Sequence, residues 1–327
     1  MEFGKILNVY QDDLKKTEDI IKLHCRGKSS LIEEIAGYIT SSGGKKIRPL
    51  LVIICAKLIN PKVDYYHNLC AAVELIHTAT LLHDDVIDNS ELRRGKKTAN
   101  SVWDNKASIL VGDFLFSLSF QLMTKTKSME VLDILSTASN SIADGEVNQL
   151  ENSKNLTITV DKYFEIIEGK TSALFASSCS SGAALAGATK DQESLLYEYG
   201  NHLGSLFQII DDIIDYTSDT KNLGKSAGDD FFEAKVTLPI ILCRDLAVSE
   251  DRQEVDSLFE KAQDGEANQE DFKSLLTILN KYNSFERSFE IANQQYAKIA
   301  KLLSVLTESA EKEYLLEIAD FALKRTK

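Results

Sequence analysis

Apolar residues recur along this chain at intervals of three and four, with polar positions between them. Ala71–Asp88, Ala107–Met123, Ser128–Leu150 and Ser194–Tyr216 each sustain that repeat, the mark of long helices with one buried stripe. The last third keeps the same period through Lys273–Asn283 and Ser284–Leu306. No stretch shows the strict alternation of a half-buried strand. Three polar segments interrupt the repeat, at Thr40–Pro49, Asn89–Ser101 and Thr217–Lys235. Each combines Gly with Lys or Arg beside a strongly apolar helix, and none has the character of a flexible linker. The pattern predicts an all-α fold: long, mostly antiparallel helices bundled as a single domain over residues 1–327.

Composition agrees and removes some functions. Three prolines and 16 glycines in 327 residues favour long helices over a turn-rich β fold. A formal charge of −13 supplies no basic footprint, so no nucleic-acid partner is expected. The same charge would repel an anionic substrate unless local cations intervene. Cys25, Cys55, Cys70, Cys179 and Cys243 are scattered and without CxxC spacing, which predicts reduced, buried thiols in a cytosolic protein. The N-terminal residues lack a signal-peptide pattern, and no apolar run is long enough for a transmembrane segment, so a soluble, cytoplasmic protein is expected.

Candidate chemistry lies in two stripes. With about 100° per residue, His77, Thr80, Leu81, Asp84 and Asp88 share one helix face, and Asp85 lies beside it. Gly204, Phe207, Gln208, Asp211 and Asp215 repeat the arrangement, with Asp212 alongside. DDxxD therefore occurs twice, each time inside an apolar helix. One copy alone would read equally as a solvated acidic helix end. Two such clusters beside apolar surface need cations. Oxygen donors without His or Cys pairs suit Mg2+ rather than zinc, and Mg2+ on one or two carboxylates commonly completes its shell with phosphate oxygens. Two facing aspartate helices could clamp a diphosphate. Arg93 and Arg94 follow the first cluster, Lys45, Lys46 and Arg48 lie in the Gly-Gly loop, and Lys170, Lys225 and Lys235 accompany other polar segments. Singly each is a surface charge; together they offer phosphate ligands in an acidic protein. The "SSGGKK" loop lacks the full P-loop pattern.

These motifs resemble those of the trans-isoprenyl diphosphate synthases, or polyprenyl synthetases. The likeness runs from "GGKKIRPLL" through "LIHTATLLHDDVIDNSELRRGKKTAN", "ASILVGDFLF", "EGKTSALF" and "LGSLFQIIDDIIDY" to "LGKSAGDD" and "KVTLP", between Gly43 and Pro239. It is nearest to long-chain members. The resemblance implies helices around a deep central cavity (the isoprenoid synthase fold) and a homodimer. It makes Asp84, Asp85, Asp88, Asp211, Asp212 and Asp215 metal ligands for three Mg2+ ions and, with Lys170, the catalytic set. Arg93, Lys170, Thr171, Gln208, Lys225 and Lys235 match positions that hold the allylic diphosphate. Lys45, Arg48, His77 and Arg94 match positions that bind isopentenyl diphosphate. The implied reaction ionises the allylic diphosphate, and isopentenyl diphosphate attacks the resulting cation. Proton loss, to the released diphosphate, gives a product five carbons longer. His77 would donate a hydrogen bond rather than act as a base. Two positions depart from the pattern: Lys46 replaces a frequent Arg, and Ala234 replaces a frequent Gly before Lys235.

Small residues at Ala79 and Thr80, about one turn before Asp84, would let a growing tail pass. With the resemblance they imply a chain of about octaprenyl length for a quinone side chain. Phe114, Phe116 and Phe120 are possible floor residues, or ordinary core. Two rivals stay open. A class I terpene cyclase also ionises allylic diphosphates, though usually with a different second motif. A non-catalytic partner subunit typically loses the aspartates.

Overall fold

Each long apolar repeat becomes a helix in the computed structural model, which describes residues 3–41, 43–93, 95–217 and 228–325. The first half contains α1 (Gln11–Cys25), α2 (Ile47–Ile59), α3 (His67–Ile87), α4 (Asn105–Lys125) and α5 (Met129–Asn152). It continues with α6 (Val160–Ile167), a π-helical turn at Glu168–Ser172, α7 (Ala173–Leu185) and α8 (Lys190–Thr217). Later come α9 (Leu238–Leu246), α10 (Ser284–Ser304) and α11 (Ala310–Lys324). Polar side chains set several starts. Asp104 accepts from the Ala107 amide at 2.7 Å, Ser128 from Val131 at 3.2 Å and Thr159 from Lys162 at 3.2 Å. Each satisfies an amide that has no partner within its helix.

The middle of the bundle is α7, whose sequence ALFASSCSSGAAL is almost wholly buried. Small residues let its neighbours come close. A Cβ on Gly182 would sit 2.5 Å from the Val52 carbonyl of α2, and one on Gly200 of α8 would sit 2.5 Å from the Ala176 Cα. α3 and α4 pair similarly: Gly112 leaves room for His83, and the Ser108 hydroxyl donates to the Leu82 carbonyl at 3.0 Å. A second, aromatic-rich cluster gathers Tyr216 at the end of α8 with Phe231, Phe259 and Phe272. All five cysteines are free and buried.

Three features depart from the periodicity. Leu92–Arg93 and Lys96–Lys97 form a short antiparallel ribbon, Leu92 opposite Lys97, too brief for alternation to register in the sequence. Glu168–Ser172 forms a π-helical turn, whose wider period leaves no mark in the hydrophobic repeat. Among the described residues, α4 is long and apolar enough to cross a membrane by length and mean hydropathy, 1.4, contrary to expectation. Half of that stretch is buried inside the structure.

Candidate active site

Both DDxxD motifs lie at C-terminal ends of helices, α3 and α8. The helix dipole is already negative there, so extra carboxylates are unfavourable unless cations face them. Such cations are present. Lys170 Nζ lies 3.8 Å from Asp84 Oδ2, Lys235 Nζ lies 2.8 Å from Asp88 Oδ2, and Arg325 pairs with Asp211. Arg93 donates through Nε and Nη2 to Asp85 Oδ1, both at 2.8 Å.

Asp84 and Asp211 open onto a cavity of about 660 Å³. Thr80 and His77 of α3, Phe207 and Gln208 of α8, and Lys170 and Thr171 of the π-helical turn line it, with Glu146 of α5. The Gly-Gly loop adds Lys45 and Lys46, and the first turn of α2 adds Arg48. Three cations rest on aromatic faces: Lys45 on Phe321 at 4.7 Å, Arg48 on Phe175 at 4.4 Å and Arg325 on Phe207 at 3.8 Å. Such contacts hold a cation in place without neutralising it. One wall is thus carboxylate and another basic, an arrangement suited to a diphosphate bridged by metal on one side.

The second aspartate of each motif is treated differently. Asp85 is buried under Arg93, its side chain 6% exposed, against 15% for Asp84 and 44% for Asp211. Asp212 accepts the Tyr163 hydroxyl at 2.6 Å on Oδ2 and the Gln208 amide at 2.8 Å on Oδ1. Gln208 accepts in turn from the Thr171 hydroxyl at 2.9 Å. Burial, then Asp230, pushes Asp212 up to about 8, against the pull of those hydrogen bonds. Burial and then Asp84 raise Glu146 to about 7, with Lys170 opposing. Burial pulls Lys235 down, but Asp230, Asp88 and Glu233 outweigh it and hold the ammonium above its ordinary value. Asp215 Oδ2 accepts from the Asp230 amide at 3.1 Å.

Of the residues singled out in the sequence, Lys45, Arg48, His77, Thr80, Asp84, Arg93, Lys170, Thr171, Gln208 and Asp211 line the main cavity. Asp212 and Lys235 line an adjoining cavity of about 140 Å³ that shares Lys170, Thr171 and Gln208. Asp85, Asp88, Asp215 and Ala79 line neither. Ala79, 1% exposed, sits on the α3 face that includes His83, the face turned to α4. Arg94 and Lys225 lie outside the described residues. Ala234 has φ +53°, the left-handed region that favours glycine, yet Lys235 beyond it still reaches Asp88.

Sequence reasoning missed Glu146, Tyr163 and Arg325. Gly145 and Gly169, small residues beside Glu146 and Lys170, hinted at close backbone contact. Nothing near Arg325 in the sequence marked it, because the docking of α11 on α8, which includes the Tyr199 hydroxyl on the Leu315 carbonyl at 2.8 Å, brings it to the site.

The donors fit Mg2+: hard carboxylate oxygens, partly buried, already balanced by side-chain cations that can yield to an ion. Among the described residues no three His, Cys, Asp or Glu converge closely enough to hold an ion alone. Phosphate oxygens or water would complete the shell.

The sequence profile of the polyprenyl synthetases matches residues 29–279. Octaprenyl diphosphate synthase of Escherichia coli is 37% identical over 325 residues, covering 99% of each chain. An all-trans-nonaprenyl-diphosphate synthase of Rhodobacter capsulatus, described as geranyl-diphosphate specific, is 35% identical over 98% of this chain and 97% of its own. The crystal structure of a polyprenyl synthase from Caulobacter crescentus, complexed with calcium and isoprenyl diphosphate, superimposes with a TM-score of 0.94. It is 37% identical and covers 100% of this chain and 98% of that one.

Proposed function

The chain belongs to the polyprenyl synthetase family, and on that premise we propose that it is a long-chain trans-polyprenyl diphosphate synthase. It adds isopentenyl diphosphate repeatedly to an allylic diphosphate such as farnesyl diphosphate, to about octaprenyl length, for a quinone side chain. One observation carries the reading: carboxylates on the ends of two helices face one cavity whose other wall holds Lys45, Arg48 and Lys170.

Asp84, Asp88, Asp211 and Asp215 would hold Mg2+, three ions by family likeness. Asp85 and Asp212 act through their hydrogen bonds, as anchors for Arg93 and for the Gln208–Thr171 pair. Mg2+, when bound, neutralises charge on the allylic diphosphate as its bond to carbon breaks. Arg93, Lys170, Lys225 and Lys235 hold that diphosphate and stabilise the charge it gains in leaving. Thr171 and Gln208 line the same cavity and complete the allylic diphosphate site. Lys45, Arg48, Arg94 and a hydrogen bond from His77 fix isopentenyl diphosphate so that its double bond meets the cation. The proton lost goes to the departed diphosphate, so no side-chain base is needed.

A homodimer is part of the proposal. α4 leaves Ile109 and Leu110 exposed, Leu110 by 65%, and α5 leaves Val147 and Leu150 exposed. A contact over these residues would cover apolar surface that one copy cannot bury. The whole chain acts as one catalytic domain in the cytoplasm.

Purified protein with Mg2+, farnesyl diphosphate and labelled isopentenyl diphosphate tests the assignment by product sizing. Labelled chains of about octaprenyl length are expected. Asp84→Ala and Asp211→Ala should each lower turnover by roughly two orders of magnitude or more, the scale of losing a transition-state charge contact. No condensation would refute the synthase, and products formed without isopentenyl diphosphate would indicate a cyclase.

A further inference from the structure

α5 and the π-helical turn meet backbone to backbone at a pair of glycines. A Cβ on Gly145 would stand 2.4 Å from the Lys170 amide nitrogen, and one on Gly169 would stand 3.0 Å from the Gly145 Cα. No side chain keeps the two segments apart, so the residues that follow, Glu146 and Lys170, converge at the cavity wall. Glu146 Oε2 accepts from Lys170 Nζ at 2.8 Å, whereas Asp84 Oδ2 lies 3.8 Å from the same ammonium. All three side chains are partly buried, where a charge pair is little screened. Lys170 thus stands between carboxylates on two helices and gives this hydrogen bond to the one on α5.

We propose that Glu146 is a positioning residue: it restrains the Lys170 ammonium and so leaves Asp84 open to a divalent cation. Without Glu146, Asp84 becomes the nearest carboxylate to Lys170. The ammonium then closes the remaining gap and competes with the metal for the same oxygens. A lysine has the reach and rotational freedom for this, and the glycine contact keeps its backbone in place. This rests on the proposed metal role of Asp84, and it gives Glu146 a role although it touches neither reacting carbon.

Binding of Mn2+, read from the electron paramagnetic resonance of the free ion with inorganic pyrophosphate present, tests the proposal without turnover. Glu146→Gln and Glu146→Ala should each weaken Mn2+ binding by about tenfold, the usual cost of losing a group that orients a ligand. Glu146→Gln preserves the shape, so the comparison holds even where the alanine variant fails to fold. In a Lys170→Ala background the same substitutions should have no further effect, since the competitor is gone. Unchanged affinity in the native background would overturn the proposal. So would an undiminished tenfold loss in the Lys170→Ala background, which would make Glu146 a direct ligand. Failure of the unsubstituted protein to bind Mn2+ would overturn it as well. The condensation assay tests the synthase assignment separately, so the two failures are distinguishable.

Discussion

Asp85 and Asp212 hold the same position in two copies of one motif, and protein side chains claim both of them. Arg93 covers the first, and Tyr163 and Gln208 each bond one oxygen of the second. Their neighbours Asp84 and Asp211 are held by long cationic side chains that can move away. The Tyr163 hydroxyl is the clearest test of this division. Tyr163→Phe leaves a buried acceptor on Asp212 without its donor, which should cost about 1–3 kcal/mol of stability. Turnover should fall as well, because Gln208 and Thr171 hang on the same carboxylate. Urea denaturation and steady-state kinetics would measure both, and a variant equal to the parent in each would refute the anchoring role. The sequence could not separate the second aspartate from the first, because spacing gives a face and not a partner.

Helix ends and helix contacts organise the site. α3 and α8 bring carboxylates to one end of the bundle, and the π-helical turn sets Lys170 and Thr171 into the cavity they share. An extra residue in a helical turn redirects side chains, which is why such turns mark functional positions. Away from the site, His202 of α8 bonds Gln295 of α10, Nδ1 to Oε1, at 2.9 Å. Burial holds the His202 imidazole below its ordinary value, despite the opposing hydrogen bond. The unfolded chain therefore takes up its proton first as pH falls below about 6.5. The His202 contribution should be fully present above that pH and decline beneath it, while Asp212 and Glu146, raised in the folded chain, act in the opposite sense. Between pH 7 and pH 5 the urea midpoint of the parent should therefore fall relative to that of His202→Gln. Equal slopes in both proteins would refute the contribution. Gly182 and Gly200 matter at this scale because they set how near α2 and α8 approach α7.

At the scale of the molecule, the issue is where a lengthening tail goes. Thr80 lines the main cavity, whereas Ala79 faces the side of α3 turned to α4. A tail passing Ala79 would have to run between those two helices, toward the exposed apolar face of α4. Ala79→Tyr should shorten the product by several isoprene units, read by chromatography of labelled chains. Wild-type lengths would remove Ala79 from the route. The all-α architecture was legible in the sequence because period and burial are coupled locally: a helix must hide one stripe whatever it packs against. Both DDxxD motifs and the loop cations were legible for a similar reason, since their chemistry is carried by residue type and close spacing. Tertiary structure alone decided the rest. Glu146 lies 24 positions from Lys170, and Arg325 lies 114 from Asp211, yet each pair is in contact. No local period encodes such meetings, because they depend on how α5, α8 and α11 dock. The left-handed turn at Ala234 and the partners that bury Asp85 and Asp212 belong to the same class. The chain specified which groups could do the chemistry; packing assigned each one its partner, because electrostatics acts across space and not along sequence.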